Sequence, residues 1–320
     1  MQNPRRNESF RLQEQPFPVK SVLLLAAFSF AVPLAAAALP PLTPADIPRS
    51  TQIGAPTPGV RIPPPLPADA KLPTIWLIGD SIVRNGVNGN GDEKEGQWGW
   101  GAPLVGYFDA KKVNVVNRAM GGTSSHSFYD GLWKGLVPLI QKGDFVILQF
   151  GANDSNRASL PGTSDEVQNN LHSFGWYLKQ FVAETRAKGA TPVICSLTPR
   201  KNWLPDGHFR RDNTTHAAWA AAIAKETDAP FVDLYELIAR KYEAVGQAKV
   251  DLLYVPSPTE HLHTGWDGAI VNAECVLSGL KALKGDPFAP YYSARAEAVA
   301  PADLSKPAPP PAAKAEGTKS

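Results

Sequence analysis

Ser81 stands where an apolar run, Ile75-Trp76-Leu77-Ile78, breaks into the small polar turn Gly79-Asp80-Ser81. Few side chains screen the end of such a run, so the Ser81 hydroxyl can sit exposed at the carboxyl edge of a strand, where open α/β sheets place their ligands. By itself the tripeptide also fits an ordinary turn or helix cap. Three later blocks supply other polar groups in order: Asn117-Arg118-Ala119-Met120-Gly121-Gly122 after a run at Val113, Val115 and Val116; Gly151-Ala152-Asn153-Asp154 after Phe145 to Phe150; and Glu260-His261-Leu262-His263. Ester hydrolysis by serine needs a nucleophile, a base, a group that orients the base and donors for the oxyanion. Each block offers one of these parts. Each also has a plain structural reading: Gly122 as a flexible turn before Thr123, Ser124 and Ser125, Asn153-Asp154 as an Asx turn, and His261-x-His263 as half of a zinc site.

Taken together, the four blocks resemble those of the SGNH (GDSL-like) hydrolases, and more closely the rhamnogalacturonan acetylesterase branch, carbohydrate esterase family 12. Gly99-Trp100-Gly101 with Leu104, Tyr107 and Phe108, and the run from Gly143-Asp144 through Phe150-Gly151, extend the resemblance over roughly Thr74 to Leu283. The resemblance implies a catalytic set of Ser81, His263 and Glu260. Ser81 attacks the acyl carbon and His263 takes its proton. The oxyanion is held by the N–H groups of Ser81 and Gly122 and the amide of Asn153. It also implies no cofactor and no metal. In the family the residue three before the histidine is aspartate; here it is glutamate, whose longer side chain must fold back to reach the imidazole. Asp267 is the fallback for that role. Trp98, Trp100, His126, Phe128 and Trp203 are candidates to line a cleft, and Arg200 to meet an anionic substrate.

The elements that must position these residues alternate. Short apolar runs at Ile75–Ile78, Val113–Val116, Phe145–Phe150, Pro192–Leu197 and Phe231–Val232 suit strands covered on both faces. Helical segments are expected over about 98–109, 131–141, 166–188, 213–227, 235–245 and 265–283; in the clearest, Leu171, Phe174, Leu178, Phe181 and Val182 recur at three- and four-residue steps. This predicts an α/β fold, a three-layer α/β/α sandwich around a five-stranded parallel sheet, to which the resemblance adds a flavodoxin-like strand order. No internal repeat or second domain is visible. The glycine-rich segment 85–97 matches neither a dinucleotide loop nor a Walker motif, and its Asn88, Asn90 and Asp92 miss the calcium-loop pattern. It reads as a rim loop.

Composition bounds the rest. The 320 residues are 43% hydrophobic, with a net charge of +2. Arg5, Arg6, Arg11 and Lys20 precede an apolar stretch from Val22 to Leu39 that ends in small residues, the pattern of a signal peptide cleaved near Ala38; a membrane anchor is the rival reading. Without residues 1–38, 28 basic residues face 28 acidic ones, so nothing points to nucleic acid. Eleven prolines fall between Pro40 and Pro73, which reads as a stiff linker over 39–73. The hydrolase domain is expected over 74–290, and a disordered tail over 291–320. Cys195 and Cys275 read as buried apolar residues, with a disulfide permitted by export.

The expected activity is therefore an exported, periplasmic or secreted, acetylesterase acting on a rhamnogalacturonan-like polysaccharide or its oligosaccharides, with no stable membrane insertion after cleavage. A lipid-directed esterase or thioesterase on the same scaffold, and a silent carbohydrate-binding or envelope protein, are the alternatives.

Overall fold

The computed structural model describes residues 39–47, 64–84, 86, 96–154, 158–211 and 215–308. The signal peptide expected over 1–38, the middle of the proline-rich segment, most of the 85–97 loop and residues 309–320 lie outside the described residues.

Five strands form one parallel sheet: β1 (Thr74–Gly79), β2 (Asn114–Asn117), β3 (Phe145–Gln149), β6 (Thr191–Cys195) and β7 (Phe231–Val232), while β4 (Val167–Gln168) and β5 (Leu171–His172) make a separate hairpin. The order β2-β1-β3-β6-β7 is flavodoxin-like, and the chain reverses direction across the sheet between β1 and β3. Alternation along each strand sorts its side chains into two cores. Ile75, Leu77, Val115, Ile147 and Val193 join the one under α1 (Gly101–Leu104), α6 (Leu234–Val245) and α8 (Trp266–Lys281). Trp76, Ile78, Val116, Val146, Leu148 and Ile194 join the one under α2 (Ser125–Phe128), α3 (Lys134–Leu136), α4 (Phe174–Ala187) and α5 (Thr215–Thr227). The result is the three-layer sandwich. A short α7 (Gln247–Asp251) follows α6, and among the described residues no helix is long and apolar enough to cross a membrane.

Several boundaries differ from the sequence expectation, each for a local reason. Residues 166–172 are not helix. Asn169 and Asn170 both adopt positive φ (51° and 64°), which a two-residue hairpin turn requires, and α4 begins only after Ser173, whose hydroxyl accepts from the Trp176 N–H at 3.1 Å. Over 98–109 the helix shrinks to α1 and one 3-10 turn, because Trp98, Gly99 and Trp100 donate their N–H groups to Thr264, Arg84 and Ile82 instead. In the 131–141 region a five-residue π turn, Tyr129–Trp133, leads into α3, and Pro138 stops α3 by removing an N–H donor.

The ends are more ordered than composition suggested. Within the segment read as a linker, Leu42 and Ile47 are buried in the core, and the Leu42 carbonyl accepts from the Trp266 indole at 3.0 Å. Pro65 accepts from Arg118, and Asp69 is bonded to Asn114. The chain beyond 290 likewise stays docked: Lys281 donates to the carbonyls of Ala296 and Val299, and Arg240 to that of Lys306. Polar side chains on α6 and α8 thus hold a strap that alanine and proline content alone cannot reveal. Cys195 and Cys275 are free and buried, and burial pushes both thiols up to about 12.

Candidate active site

Because β1, β2 and β3 run parallel, the turns that follow them emerge at one edge of the sheet, and β1 and β3 flank the point where strand order reverses. The turn after β1 is closed by its own residues. Asp80 Oδ1 accepts from the Ile82 N–H at 2.9 Å, and the Asp80 carbonyl accepts from Val83 and Arg84. Glycine at 79 is required by packing, since a Cβ would lie 2.5 Å from Val83 Cγ2 and 2.6 Å from the Gln149 carbonyl. This close approach brings the start of the Ser81 turn against β3.

The turn after β2 is stitched to the first. Met120 donates to the Gly79 carbonyl at 3.0 Å, and the Thr123 hydroxyl reaches the carbonyls of Met120 and Gly79. Gly122 lies between them with φ +79°, and a Cβ built there meets nothing within 4 Å. Its need for glycine is therefore conformational, and the space beside it is open. The turn after β3 joins through Asn153, whose Nδ2 donates to the Thr123 carbonyl at 3.0 Å. A primary amide has a second N–H to offer.

Sequence reasoning passed over the residue that organises this third turn. Asp154 is buried, and its carboxylate accepts from the Gly151 N–H, from the N–H and hydroxyl of Ser125 and from the Ser159 hydroxyl. It thereby ties the β3 turn to the N-terminus of α2. Burial raises its carboxyl above the ordinary range, and the Ser125 hydrogen bonds oppose that shift. Asp80 is also fully buried and is pushed up to about 7, first by burial, with the Ile82 N–H opposing and the Asp154 charge adding. The signal for both was adjacency: each neighbours a predicted site residue.

His263 comes from the far end of the chain, on a loop pinned by Thr264. The Thr264 carbonyl accepts from the Trp98 N–H at 2.9 Å, and its hydroxyl donates to the Trp98 carbonyl at 3.0 Å. His263 Nε2 is 2.9 Å from Ser81 Oγ, and its Nδ1 is 3.0 Å from Glu260 Oε2. Glu260 does fold back. Its Oε1 accepts the N–H groups of His261, Leu262 and His263 at 3.0, 2.8 and 2.8 Å, while Oε2 takes the imidazole. One oxygen shapes the loop and the other orients the ring. Burial works to raise the Glu260 carboxyl; the N–H donors of His263 and Leu262, then the imidazole, outweigh it and hold the carboxylate below its ordinary range. An ionised carboxylate can only accept, so Nδ1 carries the ring proton and Nε2 presents its lone pair to the Ser81 hydroxyl.

Other expected residues are engaged in contacts of their own. Trp98, Trp100 and Phe128 are buried core: Trp98 meets Trp266 edge-on at 4.9 Å, and the Trp100 indole donates to Gln149 Oε1. Half-buried His126 is bonded to Asp130, and half-buried Trp203 packs on Phe209. His261 turns away from His263, bonding the Thr259 carbonyl through Nδ1 and Arg200 Nη1 through Nε2, so Arg200 is already engaged. Asp267 is exposed in the first turn of α8. Among the described residues no cluster of three or more His, Cys, Asp or Glu side chains could hold a metal ion.

Residues 77–268, the span that contains all four blocks, match the model of the GDSL-like lipase/acylhydrolase family. The chain belongs to this family. GDSL-like acylhydrolases are carboxylic ester hydrolases, and among the relatives is RhgT, a rhamnogalacturonan acetylesterase from Bacillus subtilis, 30% identical over 222 residues that cover 65% of this chain and 90% of RhgT. A rhamnogalacturonan acetylesterase from Emericella nidulans is 28% identical over 223 residues, covering 65% of this chain and 84% of the relative. Among solved structures, protein YxiM from Bacillus subtilis superimposes with a TM-score of 0.56 at 26% identity, over 66% of this chain and 56% of that one. This GDSL-like chain thus spans a little over half the length of that structural relative.

Proposed function

We propose that this family member is an exported serine esterase that removes acetyl groups from a rhamnogalacturonan-like polysaccharide or its oligosaccharides through an acyl-enzyme. The observation that carries the chemistry is the continuous hydrogen-bonded chain from Ser81 through His263 to Glu260. In the first half-reaction His263 Nε2 takes the Ser81 proton as Oγ attacks the acetyl carbon. The same proton then passes to the departing sugar hydroxyl. The N–H groups of Ser81 and Gly122 and the free N–H of the Asn153 amide receive the charge that develops on the carbonyl oxygen. One such donor typically contributes ~2.7–4 kcal/mol to the transition state. Water, activated by the same imidazole, then releases acetate.

The acetyl and pectin parts of this reading are supported by the named activities of the two relatives. Export is supported by the basic, apolar and small-residue order of residues 1–38. The one feature that a silent scaffold could claim is glutamate at 260 in place of aspartate, and the bond from Glu260 to the imidazole supports the enzyme reading instead. Acetate release from acetylated rhamnogalacturonan and hydrolysis of p-nitrophenyl esters of increasing acyl length test the reading together. Ser81→Ala should lower turnover by about 10⁴-fold or more. Full activity in that variant, or a preference for long acyl chains, would overturn it.

A further inference from the structure

The turn that carries Ser81 also carries a cation. Arg84, three residues beyond the serine, is half-buried, and its guanidinium lies against Gly121. A methyl group added to Gly121 would fall 2.7 Å from Arg84 Nη1, 3.1 Å from Cζ and 3.5 Å from Nε. Gly121 immediately precedes Gly122, so the positive charge sits one residue from a proposed oxyanion donor.

The second observation concerns what this guanidinium lacks. Its Nε is buried with no hydrogen-bond partner. Among the described residues no carboxylate forms a salt bridge with it; Asp80 acts on it only through its charge, and that carboxyl is itself protonated up to about 7. Burial accordingly drives the Arg84 guanidinium below its ordinary range. Other arginines are engaged: the half-buried Arg211 grips Glu236 and Glu243, the exposed Arg186 bonds the carbonyls of Thr227 and Asp228, and the buried Arg118 donates to the Pro65 carbonyl. A desolvated cation with no counter-ion is unfavourable, and the planar fork of a guanidinium matches a carboxylate in two parallel hydrogen bonds.

We infer that Arg84 is a specificity-determining residue, which receives a carboxylate of the substrate and so selects an acetylated uronate over a neutral acetylated sugar. The ester carbonyl lies over Gly122 while the acidic group of the same or the adjoining sugar reaches the guanidinium beside Gly121. This assigns to Arg84 the role the sequence suggested for Arg200, which is bonded to His261. The inference rests on the esterase reading above and deepens it.

The test compares kcat/KM for an acetylated rhamnogalacturonan oligosaccharide with that for its methyl-esterified, uncharged counterpart. The wild-type enzyme should favour the acid by about 10- to 100-fold, the scale of a charge-assisted hydrogen bond, with the difference carried mainly in KM. In Arg84→Gln the ratio should fall towards one, and in Arg84→Lys, which keeps the charge but not the fork, it should fall part of the way. A wild-type ratio near one overturns the inference without any variant, so a misfolded glutamine variant does not shelter it. An unchanged ratio in a folded Arg84→Gln overturns it as well. Hydrolysis of p-nitrophenyl acetate with neither oligosaccharide cleaved would reject the substrate class and the role of Arg84 while leaving the serine machinery in place. No hydrolysis of any ester would reject the esterase reading itself.

Discussion

At the scale of single residues, Glu260, at a position where the SGNH resemblance leads one to expect aspartate, uses its longer side chain to make two sets of bonds at once. Oε1 gathers three successive N–H groups, which fixes the loop, and Oε2 is thereby aimed at Nδ1. Glu260→Gln keeps one acceptor for the backbone but turns an N–H₂ group towards the imidazole. Nδ1 would then have to accept, Nε2 would carry the proton, and Ser81 would lose its base. Turnover should fall by about 10⁴-fold, as expected for a wrong tautomer, while the melting temperature changes little. Glu260→Asp keeps the charge but cannot span both sets of partners without a shift of the loop, so it should fall between wild type and Gln. Wild-type kcat in the Gln variant, measured on an acetyl ester, would remove Glu260 from the mechanism.

At the scale of elements, the site is three strand-end turns held by buried carboxylates, and that support should leave a pH signature. Asp80 keeps its proton up to about 7 in the folded protein, against an ordinary value of 3.8. Folding therefore takes up a proton between these values. The stability that this group contributes is complete below about 3.8 and is lost as pH rises to about 7. Asp80→Asn retains an oxygen for the Ile82 N–H and cannot ionise. Its melting temperature relative to wild type should rise from about pH 4 to about pH 7 and level off above that. An equal difference at about pH 4.5 and about pH 7.5 would show that Asp80 does not titrate in this way.

The same scale shows what the sequence discloses and what it hides. All five sheet strands were legible because each is covered on both faces and so must be continuously apolar, and parallel strands then force Ser81, Gly122 and Asn153 to one edge. The hairpin before α4 was not, because Leu171 fits the helical period and only the paired positive φ of Asn169 and Asn170 excludes it. Of the candidate site, the residues that the structure brings into one hydrogen-bonded chain, Ser81, His263 and Glu260, were readable from type and order. Their supports, Asp154, Thr123 and the Trp98–Thr264 pair, were not, since each acts through a contact between positions far apart in sequence.

At the scale of the whole molecule, the proline-rich leader is partly structure. Leu42 and Ile47 are only 8% and 2% exposed, and Leu42 packs on Gly106 and accepts the buried Trp266 indole. Trp266 in turn meets Trp98, and Trp98 bonds both the carbonyl and the hydroxyl of Thr264, the neighbour of His263. A continuous set of contacts therefore runs from the proline-rich segment to the loop that carries His263. A chain beginning at residue 39 keeps it, whereas one beginning at residue 49 leaves the indole N–H unsatisfied and uncovers the apolar surface beneath both side chains. The unsatisfied donor costs ~1–3 kcal/mol, and the lost burial adds an amount of the same order after the ordering entropy of the segment is set against it. For a combined loss of ~3 kcal/mol, at 2–4 °C per kcal/mol for a domain of this size, the shorter chain should melt ~6–12 °C lower. Because Trp98 and Thr264 lose part of their backing, its kcat should fall as well. Identical melting temperatures and turnover for the two chains would mean that the segment merely rests on the domain.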